Sequence, residues 1–281
     1  MRIRISADST CDLSPELIRQ YGVAITPLYI RLGEKDLRDS IEVTREDIFS
    51  YVEQTRKIPK TAAVNVGDYV EFFRNAKEEG YDGVVHFTIS SEMSSCYQNA
   101  CLAAEGFENV FIVDSRTLST GIGHLVLDAC GLRDEGKTAK EIFEIVEQRK
   151  EKLDVSFVLD TLRYLALGGR CNSLLAFGAN LLNIKPSIRV KDGVMGVDKK
   201  YRCSFERAVV RYVNDKLADR DSLNLRRIFI TDSGVTDEVF NAVKEAVLKN
   251  APFAEVLHTR AGCTVSSHCG PNCIGILFYR N

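Results

Sequence analysis

No apolar run in this chain approaches the roughly 20 residues that a helical bilayer span needs, so no stable membrane insertion is expected. No charge of one sign dominates: 37 Lys and Arg stand against 39 Asp and Glu, a net charge of −2. That balance excludes a histone-like polycation and an acidic tail. There is no Gly-x-Gly-x-x-Gly, and the one stretch spelled like a Walker A, Gly131-x4-Gly136-Lys137-Thr138, lies between two predicted helices and not between a strand and a helix, which argues against a dinucleotide or P-loop nucleotide site. No Gly-x-Ser-x-Gly elbow is present either. None of the nine cysteines forms a Cys-x-x-Cys pair, and an odd set of mostly isolated thiols is expected to be free and mostly buried. The first residues, Met1 to Asp8, alternate charge with Ile and lack the apolar block of a signal peptide. A cytoplasmic protein is expected.

What is present is a 45% hydrophobic, 27% charged chain of 281 residues, enough apolar material for a sizeable core. Strand and helix signals alternate from the start. Residues 2–7 read as a strand. Ser14-Pro15-Glu16 gives an N-cap, a Pro at the first helical position and an acid in the first turn. Val23 to Leu32 reads as a second strand. Thr44-x-x-Asp47 opens a helix, and another runs from about Gly67 to Glu79. Gly83 to Ile89 is the apolar run expected of a buried parallel strand. A helix over Met93 to Glu105 and a strand over Val110 to Val113 follow. The next helix carries Ile122, Leu125, Val126 and Ala129 on one face. Thr138-x-x-Glu141 is a capping box for another. This alternation predicts an N-terminal domain, residues 1–153, built on a mostly parallel α/β sheet.

The second half reads differently. Strands are expected near 155–159, 227–231, 254–258 and 274–279, and helices near 161–167, 173–182, 204–217 and 237–249. Lys191-Asp192-Gly193 lies between two strand signals and marks a hairpin. Helices mixed with a hairpin predict an α+β domain with a mixed sheet over residues 154–281. A ligand is expected in the cleft between the two domains.

Four turns next to predicted strand ends could carry chemistry. Asp8-Ser9-Thr10-Cys11-Asp12 follows the first strand; it either holds an anion or only orders the turn. Pro59-Lys60-Thr61 offers a lone hydroxyl among small residues. Ser90 to Tyr97 brings several hydroxyls to the start of a helix, whose free N–H groups favour a carboxylate or phosphate. Gly262 to Cys273 reads as a loop, and its His268 can donate to a carboxylate or carry a proton. Two alternatives stay open on these residues. Cys263, His268, Cys269 and Cys273 could hold a metal, although no second pair matches Cys269-x3-Cys273. Ser94 or Cys96 could be a nucleophile with His268 as base. From Lys185 to Arg211 eight basic residues stand against three acidic ones. That stretch is either a solvated face or a docking surface for an acidic partner; with few aromatics nearby, nucleic acid is not expected.

These segments, in this order and over essentially the whole chain, resemble the DegV family. Asp8-Ser9-Thr10-Cys11-Asp12-Leu13 resembles the family's opening Asp-Ser-Thr-x-Asp-Leu, and Pro59-Lys60-Thr61 the first half of its Pro-x-Thr-Ser-Gln-Pro. Asp160-Thr161-Leu162-x-Tyr164-Leu165 with Gly168-Gly169-Arg170, then Asn180-Leu181-Leu182-x-Ile184-Lys185-Pro186 and His268-x-Gly270-Pro271, are similar to three further family motifs. The resemblance implies a two-domain α/β protein with a long-chain fatty acid, of about C16–C18, in an apolar tunnel between the domains. It implies no catalytic residue, metal or cofactor in this chain: the bound acid is the ligand, and the chain is a carrier that presents the carboxylate to a separate ATP-dependent fatty acid kinase. Carried over residue by residue, Thr61, Ser94 and His268 would bind the carboxylate. Ser95 and Cys96, where the family has Gly and Thr, would lie behind them. Arg170, Lys199, Lys200 and Arg202 are the candidate docking residues for the kinase. The alternatives are a Ser- or Cys-dependent lipid esterase and a binder of another small acid.

Overall fold

A computed structural model describes residues 1–170 and 184–281; the helix expected over 173–182 lies outside the described residues. Strand β1 (Ile3–Asp8), β2 (Ala24–Thr26), β6 (Gly83–Thr88) and β7 (Val110–Asp114) form a four-stranded, all-parallel sheet in the order β2-β1-β6-β7. All six residues of β6 are buried, as its unbroken apolar run predicts for a central parallel strand. The helices α1 (Pro15–Tyr21), α3 (Val66–Glu78), α4 (Cys96–Ala104), α5 (Thr120–Asp134) and α6 (Ala139–Arg149) follow their strands. The local signals behave as their chemistry requires. Ser14 caps α1 and Gly22 ends it at φ 64°; Thr138 and Glu141 form the reciprocal capping box of α6.

The single strand expected over Val23 to Leu32 is two strands in two sheets. Pro27 offers no N–H to continue the ladder, and the chain turns out of the parallel sheet there. Beyond it, β3 (Tyr29–Leu32), β4 (Lys35–Arg38) and the three-residue β5 (Lys60–Ala62) make a small antiparallel sheet in the order β4-β3-β5. The helix α2 (Arg45–Thr55) carries the Thr44–Asp47 capping box between them.

From Leu153 onward the chain builds a mixed six-stranded sheet. Its strands are β8 (Leu153–Leu159), β9 (Lys185–Lys191), β10 (Val194–Tyr201), β11 (Leu223–Ser233), β12 (Glu255–Arg260) and β13 (Cys273–Arg280), in the order β10-β9-β8-β13-β11-β12. Only β11 and β12 pair in parallel. Asp192 and Gly193, at φ 53° and 82°, make the tight hairpin turn between β9 and β10, the conformation an Asp-Gly pair favours. Among the described residues this half also holds the helices α7 (Arg163–Gly168), α8 (Phe205–Lys216), α9 (Asp237–Asn250) and α10 (Cys263–Cys269).

We propose the division at 153/154, within one residue of the start of β8, the first strand of the second sheet. The halves nevertheless share their largest apolar core, which runs from Ile3 and Ile5 through α5 to Phe229 and Leu277. The α5 helix is therefore buried nearly all round rather than on one face. In the second sheet, Gly275 lets the central strands β13 and β8 approach: a Cβ there would lie 2.6 Å from the Ser156 carbonyl and 3.0 Å from Phe157 Cβ. Gly275→Ala is expected to cost about 1–3 kcal/mol, because backbone cannot yield as a side chain can. Urea unfolding measures this, and an unchanged midpoint would refute it.

Candidate functional site

The site grows from four pieces of chain that end at one place between the sheets. Thr61 sits in the middle of β5, where its register partner is Ile30 of β3. Ser94 lies in the turn after β6, and the helix beyond it starts at Cys96, three residues later than expected. Ser94 Oγ accepts from Cys96 N at 3.3 Å and donates to Cys96 Sγ at 3.3 Å. His268 lies on α10 and not in a loop. Arg170 follows α7 and donates to the Gly168 carbonyl at 2.7 Å.

These pieces surround a cavity of about 500 Å³, within the usual range for small-molecule sites. Thr61, Ser94, Ser95, Arg170 and His268 all line it. Cys96 stands behind Ser94 and is buried. Much of the wall is apolar, from Leu28, Ile89, Met93, Leu118, Leu165, Met195 and Val265. A second void of about 20 Å³ shares Leu118, Val265 and Cys269 with the first. The structure brings the predicted trio together from positions up to 207 residues apart.

Thr61 Oγ1 and His268 Nε2 are hydrogen-bonded at 3.0 Å. The other ring nitrogen, Nδ1, is buried with no partner among the described residues. It packs on Gly168, where an added Cβ would overlap it. Burial, with the Arg170 guanidinium nearby, pushes the imidazole down from 6.5 to about 4. His268 is thus neutral at pH 7 and can act as a hydrogen-bond donor or acceptor without adding charge. Burial pushes the Cys96 thiol up to about 12, which leaves it protonated and a poor nucleophile. Ser94 bonds to Cys96 and His268 to Thr61, so the nucleophile–base pairing of a hydrolase is not formed. Among the described residues no cluster of His, Cys, Asp or Glu could hold a metal, and Cys263 instead donates to the Val43 carbonyl at 3.2 Å. No helix among them is long and apolar enough to cross a membrane.

The remaining candidate cations lie elsewhere than the trio. Lys199 pairs with Asp215 at 3.2 Å. Arg202 is exposed and lines a separate, polar cavity with Lys185 and Asp160, and Lys200 is exposed on β10. Arg170 alone of the four belongs to the cavity wall. Thr264, Val265, Met195 and Leu165 line the cavity without having been expected there. The family-like Asp-Thr-Leu-x-Tyr-Leu motif could have signalled Leu165, and Thr264 and Val265 lie in the Gly262–Cys273 stretch already named; nothing local signals Met195.

The family model described as "Uncharacterised protein, DegV family" matches residues 2–281. The chain belongs to the DegV family. Two DegV domain-containing proteins are similar along nearly their whole length. The one from Clostridium perfringens is 30% identical over 283 residues, covering 99% of this chain and 98% of the relative. One from Clostridium acetobutylicum is 28% identical over 279 residues, with the same coverage. Among solved structures, a fatty-acid-binding DegV family protein from Thermus thermophilus superposes with a TM-score of 0.92 at 31% identity, covering 100% of both chains. A stearic acid-binding protein from Eubacterium ventriosum superposes with a TM-score of 0.85 at 25% identity, covering 100% of this chain and 98% of the other. The expected fold, a DegV-like α/β architecture with a parallel and a mixed sheet, is the one observed.

The imidazole gives a pH prediction. The folded ring stays neutral down to about 4, whereas the unfolded ring takes a proton near 6.5. The stability this difference supplies is therefore complete above pH 6.5 and is lost as pH falls toward 4. Nitrogen-15 NMR of the histidine rings should show His268 without a protonation midpoint between pH 7 and 5; a midpoint near 6.5 would contradict the buried, neutral ring.

Proposed function

We propose that this DegV family protein binds a long-chain fatty acid in the cavity between its sheets and presents the carboxylate to a separate ATP-dependent fatty acid kinase. The observation that carries this reading is the meeting of Thr61, Ser94 and His268 in the wall of one cavity that Leu, Ile, Met and Val side chains also line. The bound fatty acids of similar structures support it. Each buried methylene gains about 0.8 kcal/mol, so about 15 of them offer roughly 12 kcal/mol. Lost translational freedom and side-chain ordering offset much of that. The tunnel thus supplies affinity, and the polar trio orients the head group.

A carboxylate shielded from water stays ionised only where hydrogen bonds replace its hydration. Two hydroxyls and a neutral imidazole do so without a tight countercharge. One carboxylate oxygen then remains able to attack the γ-phosphate of ATP held by the kinase, giving an acyl phosphate and ADP. Arg170 places a cation at the wall of the same cavity, and Lys199, Lys200 and Arg202 offer a basic face for the acidic side of a partner. In this reading the chain itself catalyses nothing. No observation favours the esterase, whose thiol is protonated and whose serine lacks a base.

Native mass spectrometry of protein purified from bacteria should show an added mass matching an acid of about C16–C18; an empty protein would overturn the reading. Incubation with a chromogenic ester should give no turnover, and steady release of the chromophore would restore the enzyme reading. Ser94→Ala and His268→Ala should impair phosphorylation of the bound acid by the kinase more than they weaken its binding. Equal losses in both would contradict the division between tunnel and head group.

A further inference from the structure

Thr61, Ser94 and His268 reach the cavity on separate stretches of chain, and each stretch is tied to the same turn after β1. Asp8 Oδ2 accepts from Ile89 N at 2.8 Å. The next residue, Ser90, receives Met93 N and Ser94 N on its carbonyl at 2.9 and 3.2 Å. Asp8 therefore fixes where the Ser94 turn leaves β6. Ser9 Oγ accepts from Leu28 N at 3.1 Å and donates to Asp39 Oδ2 at 2.9 Å. Leu28 in turn accepts from Asp39 N at 2.8 Å, two residues before the Ile30 that is registered with Thr61.

The third stretch is held most firmly. Asp12 Oδ1 accepts from Gly262 N at 2.8 Å. Asp39 accepts from Cys263 N at 2.9 Å, Thr264 N at 3.1 Å and Thr264 Oγ1 at 2.6 Å. The three amides that open α10 thus all go to carboxylates from the other half of the chain. A helix of seven residues is too short to hold itself, so its direction is set by what grips its start. His268 rides on its last turn. The buried carboxyl groups also face the positive end of the helix, which favours their ionised form.

Two further observations say that the cluster serves more than its own turn. Asp8, Asp12 and Asp39 are all buried, and burying a carboxylate costs several kcal/mol unless hydrogen bonds replace water. Burial pushes Asp8 up to about 6 and Asp12 up to about 8. In addition, Ser119 is held at φ 55°, ψ −144°, a conformation that L residues avoid, while its Oγ donates to Asp12 Oδ2 at 2.6 Å.

We propose that Asp8, Ser9, Asp12 and Asp39 are positioning residues for the carboxylate-binding trio, with Asp12 and Asp39 acting on His268 through α10. This rests on the fatty-acid reading above. Asp39→Asn and Asp12→Asn keep shape but set an amide against N–H donors; Ser9→Ala withdraws a single bond from Asp39 and is the milder variant if the others do not fold. Palmitic acid and 1-hexadecanol, equal in chain and different in head group, are the probes. Each folded variant should lose about tenfold in palmitate affinity, the scale of one bond to a charged group, with hexadecanol binding unchanged. The His268 ring signals should shift in the ligand-free variants. A preserved palmitate-to-hexadecanol ratio, an equal loss of both, or unmoved His268 signals would overturn the positioning role. Wild-type protein that binds neither probe would instead overturn the fatty-acid reading itself.

Discussion

Three carboxylates buried at the end of one strand set the constraint under which the rest of this protein is arranged. An anion taken out of water must be met by donors in fixed places, and Asp8, Asp12 and Asp39 find theirs on backbone amides of segments distant in sequence: Ile89, Gly262, Cys263 and Thr264. Each bond is directional, and the amides belong to two segments that line the cavity, one at Ile89 and one from Gly262 to Thr264. The cost of burial is therefore turned into geometry. The apolar core that runs through α5 holds the two halves together, but a non-directional interaction cannot decide where a hydroxyl points. The carboxylate bonds can.

The cavity divides its labour along the same line. Its wall of Leu, Ile, Met and Val side chains suits a long apolar ligand, where affinity scales with area and tolerates variation in shape. Its polar end is narrow in chemistry. Two hydroxyls and an imidazole kept neutral by burial can orient an acid without neutralising it. Arg170 stands in the wall beside them, yet its guanidinium donates to the Gly168 carbonyl and not to the trio. For a chain that offers its ligand to a second protein, a head group held by hydrogen bonds rather than by a salt bridge keeps its nucleophilic charge.

Two opposing titrations run through this architecture. The buried imidazoles His86, His124 and His268 are pushed down to about 3, 3 and 4, so they favour the folded chain more as pH rises toward 6.5. Asp8 and Asp12, pushed up by burial, act the other way: what they contribute at low pH is lost as pH rises from about 4 through their folded values. At pH 7 Asp12, pushed up to about 8, is therefore largely protonated, while Asp8, pushed up to about 6, is largely ionised and held by hydrogen bonds from Thr10 N and Ile89 N.

Much of this was written locally in the sequence. The capping boxes at Thr44 and Thr138, the Asp192-Gly193 hairpin and the apolar run of β6 all act between residues a few positions apart, and all appear where expected. The family motifs named Thr61, Ser94 and His268, which the fold gathers at one cavity. Other features needed the folded chain. The break at Pro27 was a visible signal, but the sheet that receives β3 depends on a three-residue strand, β5, that no periodicity can announce. The α10 helix was hidden because Gly262 gives it no side-chain cap; its caps are Asp12 and Asp39, more than 220 residues earlier. The sequence by itself determined the elements and the chemistry available, since those depend on neighbours along the chain. Only the tertiary structure decided which carboxylate meets which amide, and so how the imidazole is aimed, because those contacts exist only once distant segments share a space without water.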